Sequence, residues 1–215
     1  MKRGAIFDMD GTLLNTERFY TQGWLETADK FGVERNLELA KAMSGSAVTV
    51  MPEIMHRFYP GIDADKYIST VVAFVKSESE KTLELMPGVK EILEYFKSQN
   101  VVMAVASSSL KTVVDANLTR TGIRDYFKVV IGGNQIKNGK PAPDIFLKAA
   151  EELGVAPDDC YVFEDSLNGV RAGHAAGAST IMIPDQAAPT EEIKKICRVY
   201  DSLNIAMQAI INAEL

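Results

Sequence analysis

The sequence is poor in the residues that build covalent or metal-based scaffolds. Two cysteines and two histidines among 215 residues are too few for a disulfide framework or a structural zinc site. No apolar run approaches the ~18 residues that a membrane-spanning helix requires. Positive charge is not in excess either, because the net charge is −6. Nucleic acids and anionic membranes both attract basic surfaces, so we expect no nucleic-acid partner and no membrane partner.

What the sequence does contain is typical of a folded domain. Apolar residues make up 47% of the chain and charged residues 24%, close to the average of about 25% for globular proteins. The first residues become acidic at Asp8, too early for the apolar stretch of a signal peptide. We therefore expect a soluble, cytoplasmic globular protein, with a monomer as the default oligomeric state.

Short apolar runs alternate with helical patterns along most of the chain. The runs are Ala5–Phe7, Val101–Ala106, Val129–Ile131, Tyr161–Phe163 and Thr180–Ile183. Each is apolar almost throughout, as expected for strands of a parallel sheet with both faces buried. Between the runs, apolar residues recur at helical spacing within 89–96, 110–118 and 145–153. This alternation predicts an α/β fold, a doubly wound parallel sheet whose ligands bind at the carboxyl ends of the strands.

One interval breaks the alternation. Between about Thr16 and about Leu83 the sequence shows only helical patterns, interrupted by glycine and proline. Such a stretch is too long for a simple crossover and too helical for a linker. We expect residues 16–83 to form a helical cap domain inserted after the first strand, and residues 1–15 and 84–215 to form the core.

The first predicted strand is followed by two acidic residues, Asp8 and Asp10, and then by Gly11 and Thr12. Residues two apart on an extended chain point the same way, so both carboxylates can share one cavity. At that distance they repel each other unless a cation or a shared proton relieves the charge. A polar turn is the simpler explanation, because aspartate and glycine suit turn geometry.

Two further motifs offer ligands for a phosphate. Ser107, Ser108 and Ser109 follow the second run, where hydroxyls and free backbone N–H groups at a helix N-terminus suit a phosphate. Serine is also a preferred N-cap, which is the purely structural explanation. Lys140 precedes a proline-rich helix start, where it is either a fixed point charge for a phosphate or a solvated surface charge.

The fourth motif is the acidic pair Glu164-Asp165, after the fourth apolar run. Carboxylate oxygens suit magnesium, although an acidic pair at a helix start also caps the helix and complements its dipole. Gly169 and Gly173 recur within the helix that follows, where each costs ~1 kcal/mol relative to alanine. Close packing of this helix on the sheet would explain both glycines.

All four motifs fall at the carboxyl ends of predicted strands. The acidic members are Asp8, Asp10, Glu164 and Asp165. Lys140 contributes only one positive charge against these four negative charges. A bound phosphate monoester would add up to about two more negative charges. If the motifs form one site, that site therefore requires a divalent cation.

In order and spacing, these motifs resemble those of the haloacid dehalogenase-like superfamily, in the branch near beta-phosphoglucomutase and the sugar-phosphate phosphatases. The matching residues are Asp8-Met9-Asp10-Gly11-Thr12 in the first family motif, Ser107 in the second, Lys140 in the third and Glu164-Asp165 in the fourth. The likeness spans essentially the whole chain, including a helical cap after the first motif.

The resemblance implies a phosphatase that uses Mg²⁺ and acts on a small phosphorylated metabolite, a sugar phosphate or a similar monoester. Asp8 would be the nucleophile that becomes an aspartyl-phosphate, and Asp10 the general acid and then the general base. The implied metal ligands are Asp8, Asp10 through its main-chain carbonyl, Asp165, and Glu164 directly or through water. The implied phosphate-binding residues are Ser107, Ser108 and Lys140, with Thr12 orienting the first loop.

Two departures from the family pattern favour hydrolysis over a phosphosugar mutase. Beta-phosphoglucomutases usually carry a histidine where this sequence has Tyr20, and a phosphate-binding arginine shortly after the cap glycine. Here no arginine follows Gly45 until Arg57. A mutase has to hold two phosphates at once, so we expect a phosphatase and keep the mutase as the alternative.

A phospho-accepting receiver domain of a signalling protein is the alternative from another class, because it also combines acidic residues, a lysine and Mg²⁺. The cap-sized insertion and the Asp-Gly-Thr sequence speak against it. Within the cap, the residues expected to contact the leaving group are Tyr20, Trp24, His56 and Arg57. Helical spacing alone leaves open which of them face the site.

Overall fold

A parallel β-sheet organises the part of the chain that the structure describes, residues 1–44, 46 and 50–213 of a computed structural model. Its strands are β1 (Gly4–Phe7), β2 (Val102–Ser107), β3 (Val129–Gly132), β4 (Cys160–Glu164), β5 (Ser179–Met182) and β6 (Arg198–Val199). They lie in the order β3-β2-β1-β4-β5-β6, and every neighbouring pair is parallel. The predicted fold class is confirmed, and all five predicted runs become strands. The sequence did not indicate β6, because its two residues are too short for an apolar run.

Ten α-helices connect and cover the strands within these described residues. They are α1 (Glu17–Phe31), α2 (Leu37–Met43), α3 (Met51–Phe58), α4 (Ala64–Thr82), α5 (Val89–Ser98), α6 (Lys111–Arg120), α7 (Asp144–Leu153), α8 (Leu167–Ala175), α9 (Ile193–Ile196) and α10 (Leu203–Ile211). No helix in the described ranges is both long and apolar enough to cross a membrane.

Strands β1 to β4 of the sheet are buried on both faces, because apart from the residues at their ends they are apolar. Within β1, Phe7 contributes to a cluster with α5, α6 and α10 on one face, whereas Ile6 contributes to a cluster with α7 and α8 on the other. This division follows the period of two along an extended strand. Phe7 also stacks on Phe163 of β4, with ring centroids 4.6 Å apart. The two central strands are therefore fixed side by side, which fixes the residues at their carboxyl ends.

Helices α1 to α4 lie between β1 and α5 and pack around a buried cluster of their own. Tyr67 is completely buried there, and its hydroxyl donates to the carbonyl of Trp24 at 2.7 Å. The chain enters and leaves this helical insert through two adjacent segments, in which Asn15 N donates to Glu84 O at 3.0 Å. The division into a core of 1–15 and 84–215 and a cap of 16–83 stays a prediction.

Candidate active site

The four sequence motifs meet at one edge of the sheet. Asp8 follows β1 directly, Ser107 is the last residue of β2, and Glu164 is the last residue of β4. These three strands are neighbours in the sheet, with β1 in the middle. Lys140 comes from the loop before α7 and reaches the same edge. Parallel topology alone brings the first, second and fourth motifs together, and the lysine joins them through a loop.

Lys140 forms a buried ion-pair network with two carboxylates. Its Nζ lies 2.5 Å from Asp8 Oδ1 and 2.5 Å from Glu164 Oε1, and it also donates to Ala106 O at 3.3 Å. The side chains of the lysine and the two acids are 2%, 8% and 0% exposed. Burial by itself would lower the pKa of Lys140, but Asp8 and Glu164 outweigh it and raise that pKa above its ordinary value. The lysine is therefore a permanent positive charge beside Asp8.

The second oxygen of Glu164 is also fully engaged. Glu164 Oε2 accepts hydrogen bonds from the backbone N–H groups of Asp165 and Ser166, at 3.2 Å and 3.1 Å, and from Ser166 Oγ at 2.9 Å. Gly169 leaves room for this carboxylate, since a Cβ there would lie 1.9 Å from Glu164 Cδ. At Gly173, a Cβ would lie 2.8 Å from Thr180 Oγ1. The close packing expected at both glycines is confirmed, and Glu164 is held as a partner for Lys140.

Asp10 is held by three hydroxyl groups. Thr16 Oγ1 donates to Asp10 Oδ1 at 2.6 Å, and Ser107 Oγ and Ser109 Oγ each donate to Asp10 Oδ2 at 3.1 Å. Burial raises the pKa of Asp10 and the three hydrogen bonds oppose that shift. The two acids of the first motif thus differ in environment, because Asp8 faces a cation and Asp10 faces neutral donors.

Asp165 is the acid whose charge has the least compensation. The residue is 3% exposed, and no donor among the described residues hydrogen-bonds to its carboxylate. Burial and the charge of Glu164 raise its pKa well above the ordinary value. Gly11 packs against it with φ +80°, where a Cβ would lie 2.4 Å from Asp165 Oδ2. Burial raises the pKa of Asp8 in the same direction, against the opposing effect of Lys140.

The carboxylates at the sheet edge fit Mg²⁺, but fewer of their side chains are free to bind it than the sequence indicates. In the described ranges, no three His, Cys, Asp or Glu side chains are grouped so that they could hold a metal ion. The Glu164 carboxylate is bound to Lys140 and Ser166, and the Asp10 carboxylate accepts from hydroxyls, whereas the metal contact expected of Asp10 is through its main-chain carbonyl. Asp8 and Asp165 remain, and Mg²⁺ is commonly bound by one or two carboxylates, with water and substrate phosphate completing the shell. The expected four-residue ligand set stays a prediction.

A cavity of about 480 Å³ opens above these carboxylates, between the sheet edge and the helical insert. The predicted site residues that line it are Asp8, Asp10, Ser108 and Asp165, and those that do not are Thr12, Ser107, Lys140 and Glu164. Thr12 is completely buried, and its Oγ1 has no hydrogen-bond partner within the described part of the chain. Its packing matches a role in shaping the first loop better than a contact with substrate.

The insert contributes some, but not all, of the expected side chains. Tyr20 and Trp24 line the cavity, whereas His56 and Arg57 are exposed elsewhere on α3. Arg57 pairs with Glu53 on its own helix at 3.4 Å. The segment after the cap glycine, Gly45 with Ala47, Val48 and Thr49, lies outside the described residues.

Sequence reasoning missed two residues at the start of α1. Thr16 supplies the shortest hydrogen bond to Asp10, and Glu17 is a buried carboxyl in the cavity wall, 7% exposed. Burial and the charge of Asp10 raise the pKa of Glu17 to about 8. The one sequence feature that could have indicated these two residues is a hydroxyl residue followed by an acid at a helix start, a few residues after the first motif. That pattern is common at ordinary helix starts, so it did not stand out.

Comparison with known proteins shows which family the chain resembles. Residues 5–183 match the family described as haloacid dehalogenase-like hydrolase. The chain is 34% identical over 178 residues to the phosphorylated carbohydrates phosphatase of Thermotoga maritima, covering 82% of both chains. It is 32% identical to the fructose-1-phosphate phosphatase YqaB of Escherichia coli, over 83% of this chain and 94% of that one.

The solved structures agree on the fold. The crystal structure of beta-phosphoglucomutase from Clostridium difficile is similar with a TM-score of 0.84 and 24% identity, covering 99% of this chain and 96% of that one. The family match spans most of the sequence, and both relatives exceed 30% identity over more than two thirds of the chain. The protein therefore belongs to the haloacid dehalogenase-like hydrolases.

Proposed function

We propose that the protein is a Mg²⁺-dependent phosphatase that hydrolyses a small phosphate monoester, a sugar phosphate or a similar metabolite, through an aspartyl-phosphate on Asp8. The observation that carries the proposal is the pairing of two differently held acids at the floor of one cavity. Asp8 is fixed by a buried lysine, and Asp10 by three hydroxyls. The relatives named as phosphatases act on phosphorylated carbohydrates and on fructose 1-phosphate.

The environment of Asp8 suits a nucleophile. Lys140 binds its Oδ1, which leaves Oδ2 to attack the phosphorus atom, while the leaving oxygen departs on the opposite side. The lysine also offsets the negative charge that accumulates on the phosphoryl oxygens in the transition state. Glu164 holds that lysine in place and does not line the cavity, so its role is positioning.

The environment of Asp10 suits a proton carrier. Its raised pKa favours the protonated form, which donates a proton to the leaving oxygen. The same carboxylate then accepts a proton from the water that attacks the aspartyl-phosphate. Thr16, Ser107 and Ser109 keep it oriented in both protonation states, because a hydroxyl donates to a carboxylate and accepts from a carboxylic acid.

Asp8 and Asp165 would hold the Mg²⁺. Bound there, the ion supplies positive charge that reduces repulsion between these carboxylates and an incoming phosphate. The buried carboxylate of Asp165 accepts no hydrogen bond from the described residues, which supports this assignment. Exhaustive chelation is expected to stop phosphate release, and full activity after chelation would contradict the metal requirement.

The decisive experiment follows both fates of beta-glucose 1-phosphate. We expect repeated release of inorganic phosphate from it or from another sugar phosphate, without stimulation by glucose 1,6-bisphosphate. Conversion to glucose 6-phosphate much faster than hydrolysis would identify a mutase instead. Retention of one phosphate per chain, with no further turnover, would identify a phospho-accepting domain. The Asp8→Asn variant, purified in parallel, sets the background of contaminating phosphatases.

A further inference from the structure

The cavity continues past the carboxylates as a groove between α4 and α6, which we call the α4–α6 arm. Its apolar walls are Val71, Val72 and Val75 on one side and Leu110, Val113 and Ala116 on the other. Val72, Leu110 and Val113 are 49%, 52% and 40% exposed. Exposed apolar side chains that gather at a concave site commonly mark the place of an apolar ligand.

The arm is bounded at its far end. Arg120 Nη1 donates to the main-chain carbonyl of Ser79 at 3.3 Å, which joins α6 to α4 there. Between Thr112 and Arg120, which both line the cavity, α6 advances about 12 Å at about 1.5 Å per residue. The arm is therefore long enough to receive several carbon atoms in a row.

A single sugar matches this arm poorly. Hydroxyl groups placed against valine side chains would give up hydrogen bonds to water without replacement, which is costly. Polar side chains also line the cavity. Glu17, Tyr20 and Ser46 belong to or follow α1 and α2, whereas most of those on α4 and α6 come after the apolar residues in sequence, at Lys76, Ser79, Glu80, Asn117 and Arg120. The apolar part of a ligand would thus lie along the stretch from Val71 to Val75, between polar side chains on either side.

On the premise that the protein is the phosphatase proposed above, we propose that the α4–α6 arm binds an apolar alkyl or aryl group carried by the substrate. The preferred monoesters are then those whose alcohol extends beyond a single sugar and presents an apolar surface. The reaction itself is unchanged, because phosphate transfer occurs at the other end of the cavity. The arm selects the ester by its leaving group.

A series of ethyl, butyl, hexyl and octyl phosphate tests the proposal. All four are esters of unbranched primary alcohols, so their chemical reactivity is nearly constant and only the apolar length changes. We expect kcat/KM to rise by up to about fourfold for each methylene that enters the arm. The rise should level off once the arm is filled. A series that is flat or falls with length overturns the proposal.

Ala116 provides a variant that fills the arm without disturbing the core. It is exposed on α6 and lines the cavity, so Ala116→Leu narrows the groove. We expect the ratio of kcat/KM for octyl over ethyl phosphate to fall by about tenfold or more. The matched control is Ala73→Leu, because Ala73 is exposed on α4 but does not line the cavity. This control should keep the wild-type ratio, and an unchanged ratio in Ala116→Leu overturns the proposal.

Alkylphosphonates separate this proposal from the proposed function. They carry no ester bond, so calorimetry measures their binding in the intact protein without turnover. Octylphosphonate is expected to bind about tenfold or more tightly than ethylphosphonate, and equal affinity overturns the proposal. Length-dependent binding without hydrolysis of any ester would support the arm while contradicting the phosphatase.

Discussion

The two sides of the cavity differ in how their side chains are held. On the strand side, Asp8, Lys140 and Glu164 are buried, and each is fixed by a partner from a distant part of the sequence. On the helix side, Val72 and Val113 face the cavity while still 49% and 40% exposed. One side is held by charge and hydrogen bonds in fixed geometry, and the other offers a surface that is mostly apolar.

This difference implies that the strand side carries out the phosphoryl transfer and the helix side selects the leaving group. Transfer of a phosphoryl group needs reacting atoms held within a fraction of an ångström, which only a network with few degrees of freedom provides. Selection among leaving groups needs shape and polarity, which a surface of helices can supply and change without moving the acids. Variants on the strand side should therefore have large effects, and variants on the helix side small ones.

The largest effect is expected from Asp8→Asn. An amide cannot form the aspartyl-phosphate, so turnover should fall by about 10³-fold or more. The variant should stay folded, because Glu164 still pairs with Lys140. Phosphate release measured alongside a thermal melt checks both statements.

The control is Asp65→Asn, at an exposed position of α4, which should keep wild-type turnover. Near-normal activity of Asp8→Asn would rule out covalent catalysis through this residue.

The next effect in size is the loss of stability in Lys140→Met. This change leaves Asp8 and Glu164 buried together without a cation, which should cost about 3 kcal/mol of unfolding free energy at neutral pH. Burial raises the folded-state pKa of Asp8, so the folded variant takes up protons before the unfolded chain does. The loss should therefore shrink as the pH falls.

Urea unfolding of wild type and variant at several pH values measures this dependence. Lys148→Met is the matched control, since Lys148 pairs with Glu152 on the surface of α7 at 2.9 Å. Its stability should change by less than about 1 kcal/mol at any pH. A loss in Lys140→Met as small as that of the control would mean that the buried network does not stabilise the fold.

A pair of glycine variants compares the two sides directly. In Gly169→Ala the new Cβ would meet the fixed carboxylate of Glu164, so we expect a cost of about 1 to 3 kcal/mol together with reduced turnover. In Gly23→Ala the nearest atom is 3.0 Å away, in the ring of Phe74, and the gain in helix propensity of ~1 kcal/mol offsets the contact. Chemical unfolding and phosphate release of both variants give the comparison. Equal costs would contradict the contrast drawn between the two sides.

A further effect is a pH dependence of stability at Glu17. Its pKa is about 8 in the folded protein against an ordinary value of 4.5, so its contribution to stability is lost as the pH rises through that window. Glutamine does not titrate, and Glu17→Gln should gain about 1 kcal/mol or more relative to wild type across the window. Unfolding curves recorded with chelator present measure the difference.

Glu91→Gln is the control for this charge change, because Glu91 is exposed on α5. The difference in stability between this control and wild type should stay constant with pH. If the stability difference between Glu17→Gln and wild type is also constant with pH, then Glu17 is ionised over the whole pH range. That result would contradict the burial of Glu17 in the structure.

Much of the strand side could be predicted from the sequence. Asp8 and Asp10 stand out because acids two apart follow an apolar run, and parallel topology alone brings them near Ser107 and Glu164. The partners of each oxygen could not be predicted in this way. Lys140 bridges Asp8 and Glu164, and Asp8 lies more than 100 residues away from it in the sequence. A contact between such distant segments cannot be predicted from local sequence patterns.

The helix side was less predictable for a physical reason. Helical spacing identifies an apolar stripe, but it does not tell whether the stripe is covered by protein or left facing a cavity. Tyr20 and Trp24 line the site while His56 does not, although all four cap candidates, including Arg57, lie on helices. The buried Glu17 was missed because acids in a first helical turn are common for reasons of the helix dipole.

Trp24 gives the cavity an optical signal of its own. It is the one tryptophan of the sequence, it is 3% exposed, and its ring stacks near Tyr67 with centroids 6.0 Å apart. Because it lines the cavity, all of the indole emission of the protein comes from this wall. A ligand that displaces water beside the ring changes the polarity that the excited indole senses. Intrinsic fluorescence therefore follows occupancy of the cavity in the unlabelled protein, including occupancy by compounds that are never turned over.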